Sequence, residues 1–179
     1  MLDRNQSILV VVDVQGQLAQ LMHEKQALFA NLKSVIRGIR ALDIPILWAE
    51  QNPRGLGPTI PEIAGELDGL EPIAKVSFSC WQTKAFADAL AAAGRRQVLV
   101  AGIEAHVCVY QTAMDLAAAG YEVEVVADAV SSRKAENKAL ALQKLQGAGV
   151  KITSVEMALF ELLKVAEGKP FKNILQIVK

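Results

Sequence analysis

Histidine is scarce in this chain. Only His23 and His106 occur among 179 residues, in no recognisable ligand spacing, so neither a metal nor any other cofactor is expected. Nucleotide loops are missing too. "VVDVQGQ" holds one glycine where G-x-G-x-x-G would place three, and G-x-x-x-x-G-K-[ST] does not occur. Excess charge is absent, since 19 Lys and Arg balance 19 Asp and Glu without a basic run, which argues against nucleic acid or an anionic membrane as partner. No apolar run approaches the roughly 20 residues of a membrane span. The first strand-like run begins too close to Met1 for a cleavable signal peptide. Cysteine occurs twice, at Cys80 and Cys108, and without a secretion signal both are expected as free thiols in a reducing cytoplasm.

What is present is apolar and evenly distributed. The chain is 52% hydrophobic and 21% charged with no low-complexity stretch, so a compact globular fold is expected. Its 179 residues suit one domain over 1–179, and no linker or internal repeat divides it. Apolar runs rich in Val, Ile and Leu recur at 7–14, 44–50, 71–76, 97–103, 121–128 and 149–155. They are continuously apolar rather than alternating, which predicts strands buried on both faces, as in a parallel sheet. Helical patterns over 26–42, 82–94, 107–119 and 134–147 separate most of them, several closed by a glycine such as Gly94, Gly120 or Gly147. This alternation predicts an open α/β sheet with helices on both faces.

Two segments break the rhythm. "QNPRGLGPTIPE" (51–62) holds three prolines and two glycines and is too long for a plain connector. It reads either as a functional loop or as a stiff surface turn. "FKNILQIVK" at the end is short and apolar, able to pack on the body or on another subunit. With the alanine-rich "MDLAAAG", it leads us to expect a homo-oligomer.

Ligands of open α/β sheets bind beyond the C-terminal ends of the strands. Strand one delivers Asp13 there, after five apolar residues from Ile8 to Val12. Strand three delivers Lys75 in "IAKVSF", and strand four leads through "GIEAHVC" to Cys108 in the first turn of a helix. Alone, such an Asp is usually a turn former, such a Lys a solvated charge and such a Cys core packing. Together, an acid, a base and a thiol converge on one edge of the sheet. A helix N-terminus and a nearby ammonium both favour a thiolate, so Cys108 is expected to have a depressed pKa. Asp13 is placed to accept the thiol proton and return it to a leaving group. Cys80, in "SFSCWQ", has no acid or base predicted beside it and reads as structural or pocket-lining.

"LVVVDVQ", "EQNPRGLGPTIPEI", "AKVSFS" and above all "GIEAHVCVYQTAMDL" make the chain resemble the isochorismatase-like hydrolases, also called cysteine hydrolases, over nearly its whole length. The resemblance implies a three-layer α/β/α fold around a six-stranded, mostly parallel sheet of order 3-2-1-4-5-6. It implies an Asp13–Lys75–Cys108 triad with Cys108 as nucleophile, Asp13 as general base and acid, and Lys75 orienting Asp13. It further implies a cis peptide between Ile103 and Glu104, and an oxyanion hole formed by the backbone N–H groups of Glu104 and Cys108. Nicotinamidases of the superfamily hold a metal with an Asp and several His after the second strand. Here "EQNPRGLGP" has no histidine, which argues against that activity. The loop instead resembles small, poorly characterised members.

The expected activity is cleavage of a C–N bond in a small amide, imide or carbamoyl compound through a Cys108 thioester. Gln15, Glu50, Phe78, Trp81 and His106 each flank a predicted strand end and are candidate pocket residues, with packing or exposure as the plain alternative. Two other functions remain open from sequence: a non-catalytic binding or assembly protein, and an isochorismatase-type vinyl ether hydrolase.

Overall fold

The computed structural model describes residues 1–179 throughout. Six strands, β1 (Ser7–Val12), β2 (Ile46–Gln51), β3 (Ile73–Lys75), β4 (Gln97–Ile103), β5 (Glu122–Ser131) and β6 (Lys151–Thr153), form one sheet of order β3-β2-β1-β4-β5-β6. Every pairing is parallel. Each residue of the central strands β1 and β4 is buried, because helices cover both faces. Leu9 and Val11 of β1 join one core with Leu32, Ile36 and Ile39 of α2 (Lys25–Ala41), Leu159 of α8 (Val155–Leu163) and Ile174 of α9 (Gly168–Val178). Ile8, Val10 and Val12 point the other way, to Phe86 and Leu90 of α5 (Lys84–Ala93), Leu116 of α6 (Tyr110–Ala118) and Leu145 of α7 (Ala135–Gly147). A strand with two covered faces needs apolar residues at every position, and this is why the runs do not alternate.

Several elements differ from the sequence reading. "VEMALFELL" is helix α8, capped by the Ser154 hydroxyl, which accepts from Met157 N–H at 3.3 Å. The terminal "FKNILQIVK" lies in α9 and packs on α2 and α8 with Ile174 fully buried, so it belongs to the body of this chain. Loop 51–62 contains two single-turn helices, α3 (Pro53–Leu56) and α4 (Pro61–Ala64), each opened by a proline. A further short helix, α1 (Gly16–Gln20), follows β1. Strand β5 continues to Ser131 because its register against β4 jumps, from Val100↔Val125 to Gly102↔Val130. The extra residues are accommodated as an irregularity.

Gly102 stands near the C-terminal end of β4, close against β1. It lies beside Val12 in the ladder, with φ +119°, and a Cβ there would sit 2.1 Å from the Val12 carbonyl oxygen. Only glycine lets β4 approach β1 this closely. The next residues on the two strands are Ile103 and Asp13.

Candidate active site

Asp13 leaves β1 in a left-handed conformation, φ 53°, while its N–H still donates to Ala49 O at 3.1 Å. The carboxyl is therefore turned at the strand end and remains buried, with 2% of the side chain exposed. Lys75 ends β3, in register with Gln51 on β2. Because β2 lies between β3 and β1, the long lysine side chain crosses the end of β2, and its Nζ lies 2.7 Å from Asp13 Oδ2.

The ammonium has other oxygens around it. Gln51 Oε1 accepts from Nζ at 2.7 Å, Phe78 O at 3.0 Å and Ser77 O at 3.2 Å. An ammonium offers three N–H donors and no lone pair, so a shell of four oxygen acceptors suits that form of the group. Lys75 is thus fully engaged. It can supply charge to the site but has no N–H to spare for a further ligand.

Asp13 is used on one side only. Its Oδ1 is buried and has no hydrogen-bond partner. Burial holds the carboxyl above the ordinary carboxylate range, against the opposing pull of Lys75 and a smaller contribution from the Cys108 thiol. An oxygen in this condition is a ready proton acceptor.

Cys108 lies within a π-helical turn, Ala105–Val109, that runs straight into α6. Its side chain faces Asp13 and is 7% exposed. The expected depressed thiol pKa is not what the site produces. Burial raises it, the Asp13 carboxylate raises it further, and Lys75 only partly offsets them. Of the two charges beside it, the Asp13 carboxylate acts on the thiol more strongly than the Lys75 ammonium. The resting pair is a thiol beside a basic carboxylate.

Cys80 is closer to this chemistry than its sequence neighbours implied. It is fully buried, its N–H donates to Thr112 Oγ1 at 2.9 Å, and Thr112 is one helical turn beyond Cys108. Burial pushes its thiol up to about 12, with Lys75 and Asp13 contributing in opposite directions. Both cysteines are free.

The peptide between Ile103 and Glu104 is cis. The Glu104 carboxylate is buried and paired with Arg133, accepting from its backbone N–H at 2.9 Å and its Nε at 3.1 Å. That bracket ties the loop before Cys108 to the loop after β5.

The candidate pocket residues separate into different roles. Gln15 is fully buried and braces loop 51–62: its Nε2 donates to Gln51 O at 3.0 Å and Gly57 O at 2.7 Å, and its Oε1 accepts from Gln51 N–H at 2.7 Å. Glu50 Oε1 accepts from Thr59 N–H at 2.7 Å and Thr59 Oγ1 at 2.8 Å, fastening the same loop from the other end. Both carry structural duties. Phe78 contributes its carbonyl to Lys75 while its ring stays more than half exposed at the strand-end face. Trp81 turns away and meets Tyr121, which leads into β5 from the opposite edge, at 5.6 Å between ring centroids. It lines a groove with Arg95 and Arg96 that does not include Cys108 or Asp13. His106 Nδ1 pairs with Ser132 Oγ at 2.9 Å, and its Nε2 faces Asn137 at 3.3 Å. No group of three or more His, Cys, Asp or Glu side chains gathers as a metal site.

Gln51 and Arg133 were not singled out from the sequence. A signal for Gln51 existed in "EQN" at the end of β2, but its meaning depends on the β2–β3 register that sets it beside Lys75.

The "Isochorismatase domain" family description matches residues 7–157. Isochorismatase domain-containing protein 2 of Danio rerio is 37% identical over 173 residues, which is 96% of this chain and 86% of that one. The solved structure of MAR1 ribonuclease from Caenorhabditis elegans is 32% identical, with a TM-score of 0.92 over 99% of this chain and 91% of that one. The YcaC gene product of Escherichia coli shares the fold at 23% identity, with a TM-score of 0.93 over 98% of this chain and 88% of that one. With its six-stranded sheet in the same order, the chain belongs to the isochorismatase family.

Proposed function

We propose that this protein is a cysteine-dependent hydrolase that cleaves a C–N bond in a small amide, imide or carbamoyl compound. The observation that carries the reading is the buried, unpartnered Asp13 Oδ1 beside the Cys108 thiol, on a carboxylate whose other oxygen is held by Lys75. In the first half-reaction Cys108 Sγ bonds to the carbonyl carbon while its proton passes to Asp13. The carbonyl π electrons move onto oxygen, where the backbone N–H groups of Glu104 and Cys108 serve as donors. Collapse re-forms the C=O bond, breaks C–N, and sends the Asp13 proton to the departing nitrogen. Water then attacks the thioester, Asp13 takes its proton, and release of the acid returns that proton to sulfur. Each step is proton transfer and nucleophilic displacement within reach of one carboxylate. Lys75 stays an ammonium throughout.

We favour a small molecule over a nucleic acid as substrate, because the chain has no excess positive charge and no long basic run. Two free cysteines suit a reducing compartment such as the cytoplasm.

The test is labelling by limiting acrylamide or iodoacetamide, read by peptide mass spectrometry. It is paired with ammonia release from acetamide, succinimide and an N-carbamoyl amino acid. Cys108 should be modified well before Cys80, since it alone has solvent access and a neighbouring base. An acyl adduct on Cys108 from any of the three compounds would establish the thioester. Preferential modification of Cys80, or hydrolysis that survives full blocking of Cys108, would overturn the mechanism.

We also infer that the chain self-associates. The YcaC gene product is described as an octameric hydrolase. In this chain Leu21, Leu56, Val76 and Phe78 are exposed on segments that follow the C-terminal ends of β1, β2 and β3. Exposed apolar side chains at one end of a sheet are candidates for cover by a partner. Sedimentation or light scattering at micromolar concentration should show a species larger than 19.3 kDa. A strict monomer would refute the inference.

A further inference from the structure

Besides Asp13, one other side chain holds the Lys75 ammonium, and it is Gln51. Its Oε1 accepts from Lys75 Nζ at 2.7 Å, the same distance as Asp13 Oδ2. Its Nε2 donates to Val76 O at 2.7 Å, so the carboxamide cannot rotate without losing one end. Its backbone is clamped in turn, with N–H to Gln15 Oε1 at 2.7 Å and carbonyl from Gln15 Nε2 at 3.0 Å. The following amide, Asn52 N–H, donates to Lys75 O at 2.7 Å, which ties the two strand ends together. A carboxamide with both ends fixed presents its oxygen at one point in space.

A lysine side chain has four rotatable methylenes, and burial alone does not choose where its ammonium rests. Phe78 O and Ser77 O come from the backbone just beyond β3. Gln51 is the acceptor that belongs to β2, the strand between lysine and aspartate. Resting on the catalytic reading of Asp13 and Lys75 given above, we propose that Gln51 is a positioning residue, whose doubly anchored carboxamide holds the Lys75 ammonium against Asp13. Gln15 acts through it as a brace.

The titratable groups that face the Lys75–Asp13 pair are Cys108 and Cys80. Glu50, the nearest acid on β2, is turned to Thr59, and Glu104 is turned to Arg133. Asp13 therefore reports on Lys75 with few competing charges. Loss of the Gln51 oxygen frees the ammonium to wander and leaves Asp13 less well neutralised. A carboxylate at position 51 draws the ammonium toward itself and adds negative potential at Asp13. Both changes make Asp13 more basic.

The measurement is the titration of the Asp13 carboxyl by carbon-13 NMR in the full chain. Asp13→Asn identifies the signal, and Gln51→Leu and Gln51→Glu are compared with the unmodified protein. Both substitutions should raise the midpoint, Gln51→Glu by about one pH unit, or about tenfold in proton affinity. The acid limb of Cys108 labelling should move the same way. A purely structural Gln51 would lower the melting temperature and leave the midpoint where it is, which overturns the proposal. A midpoint lowered in Gln51→Leu would also overturn it, since Gln51 would then be competing for the ammonium. The carboxyl titration does not depend on Cys108 being a nucleophile, so failure of the hydrolase reading shows in the labelling experiment and failure of this one shows here.

Discussion

On the proposed thioester mechanism, replacing Cys108 by alanine is expected to abolish turnover of an amide substrate, with a loss of about 10⁴ or more in kcat/KM. Removing the nucleophile of a covalent hydrolase leaves only binding and oxyanion stabilisation, and losses of that order are typical. The fold should survive. Cys108 is a small side chain at the edge of a well-packed core, so truncation by one sulfur leaves a small void and costs about 1 kcal/mol. Thermal denaturation should therefore shift only by a few degrees while activity disappears. Cys80→Ala supplies the contrast. That thiol is wholly enclosed and has no proton acceptor on an open side, so the variant loses packing and keeps catalysis. If Cys108→Ala retains even a tenth of native activity, the thioester is not on the reaction path. A vinyl ether hydrolysis independent of the thiol would then become the better account.

The fold was legible in the sequence because burial on two faces leaves a simple trace. "SILVVV" and "QVLVAGI" contain almost no polar residue, and that composition is tolerated only by strands covered on both sides. Helix α8 was less legible. In "VEMALFELL" the helical stripe of Val155, Ala158, Leu159 and Leu162 is blurred by Met157, Phe160 and Leu163 outside it, and no glycine marks the end. Asp13, Lys75 and Cys108 were legible as candidates from their positions at or just beyond strand ends, where polar side chains after apolar runs are conspicuous. Their electrostatics were not. Whether Lys75 or Asp13 acts more strongly on the thiol depends on a side chain crossing an intervening strand, and no linear spacing encodes that. The same holds for Gln51 and Arg133, which acquire meaning only from the register of β2 on β3 and from the loop after β5 folding back on Glu104. Gln15 and Glu50 were visible as polar residues at strand ends. The structure shows why position alone misleads, since both are occupied in fastening loop 51–62.

Asp13→Asn should separate the two duties of this carboxylate by moving two observables in opposite directions. Hydrolysis should fall by about 10²–10⁴, the usual contribution of a positioned general base. The thiol of Cys108 should at the same time become easier to ionise. After burial, the Asp13 carboxylate is the largest influence raising that thiol, and Lys75 lowers it, so neutralising Asp13 leaves the ammonium's attraction unopposed. Ultraviolet titration of the thiolate should therefore have a lower midpoint in the variant than in the native protein. The pH profiles give a further sign. Asp13 must be ionised to accept the proton, and burial holds it above the ordinary carboxylate range. Native activity should thus decline as pH falls through a midpoint above about 4, the usual value for an aspartate, and that limb should be missing from the variant's residual activity. A more easily formed thiolate in a slower enzyme would mean that proton transfer, rather than the standing population of thiolate, limits attack. If instead the thiol midpoint is unchanged and the acid limb persists, some other group takes the proton, and Asp13 serves only to keep Lys75 buried.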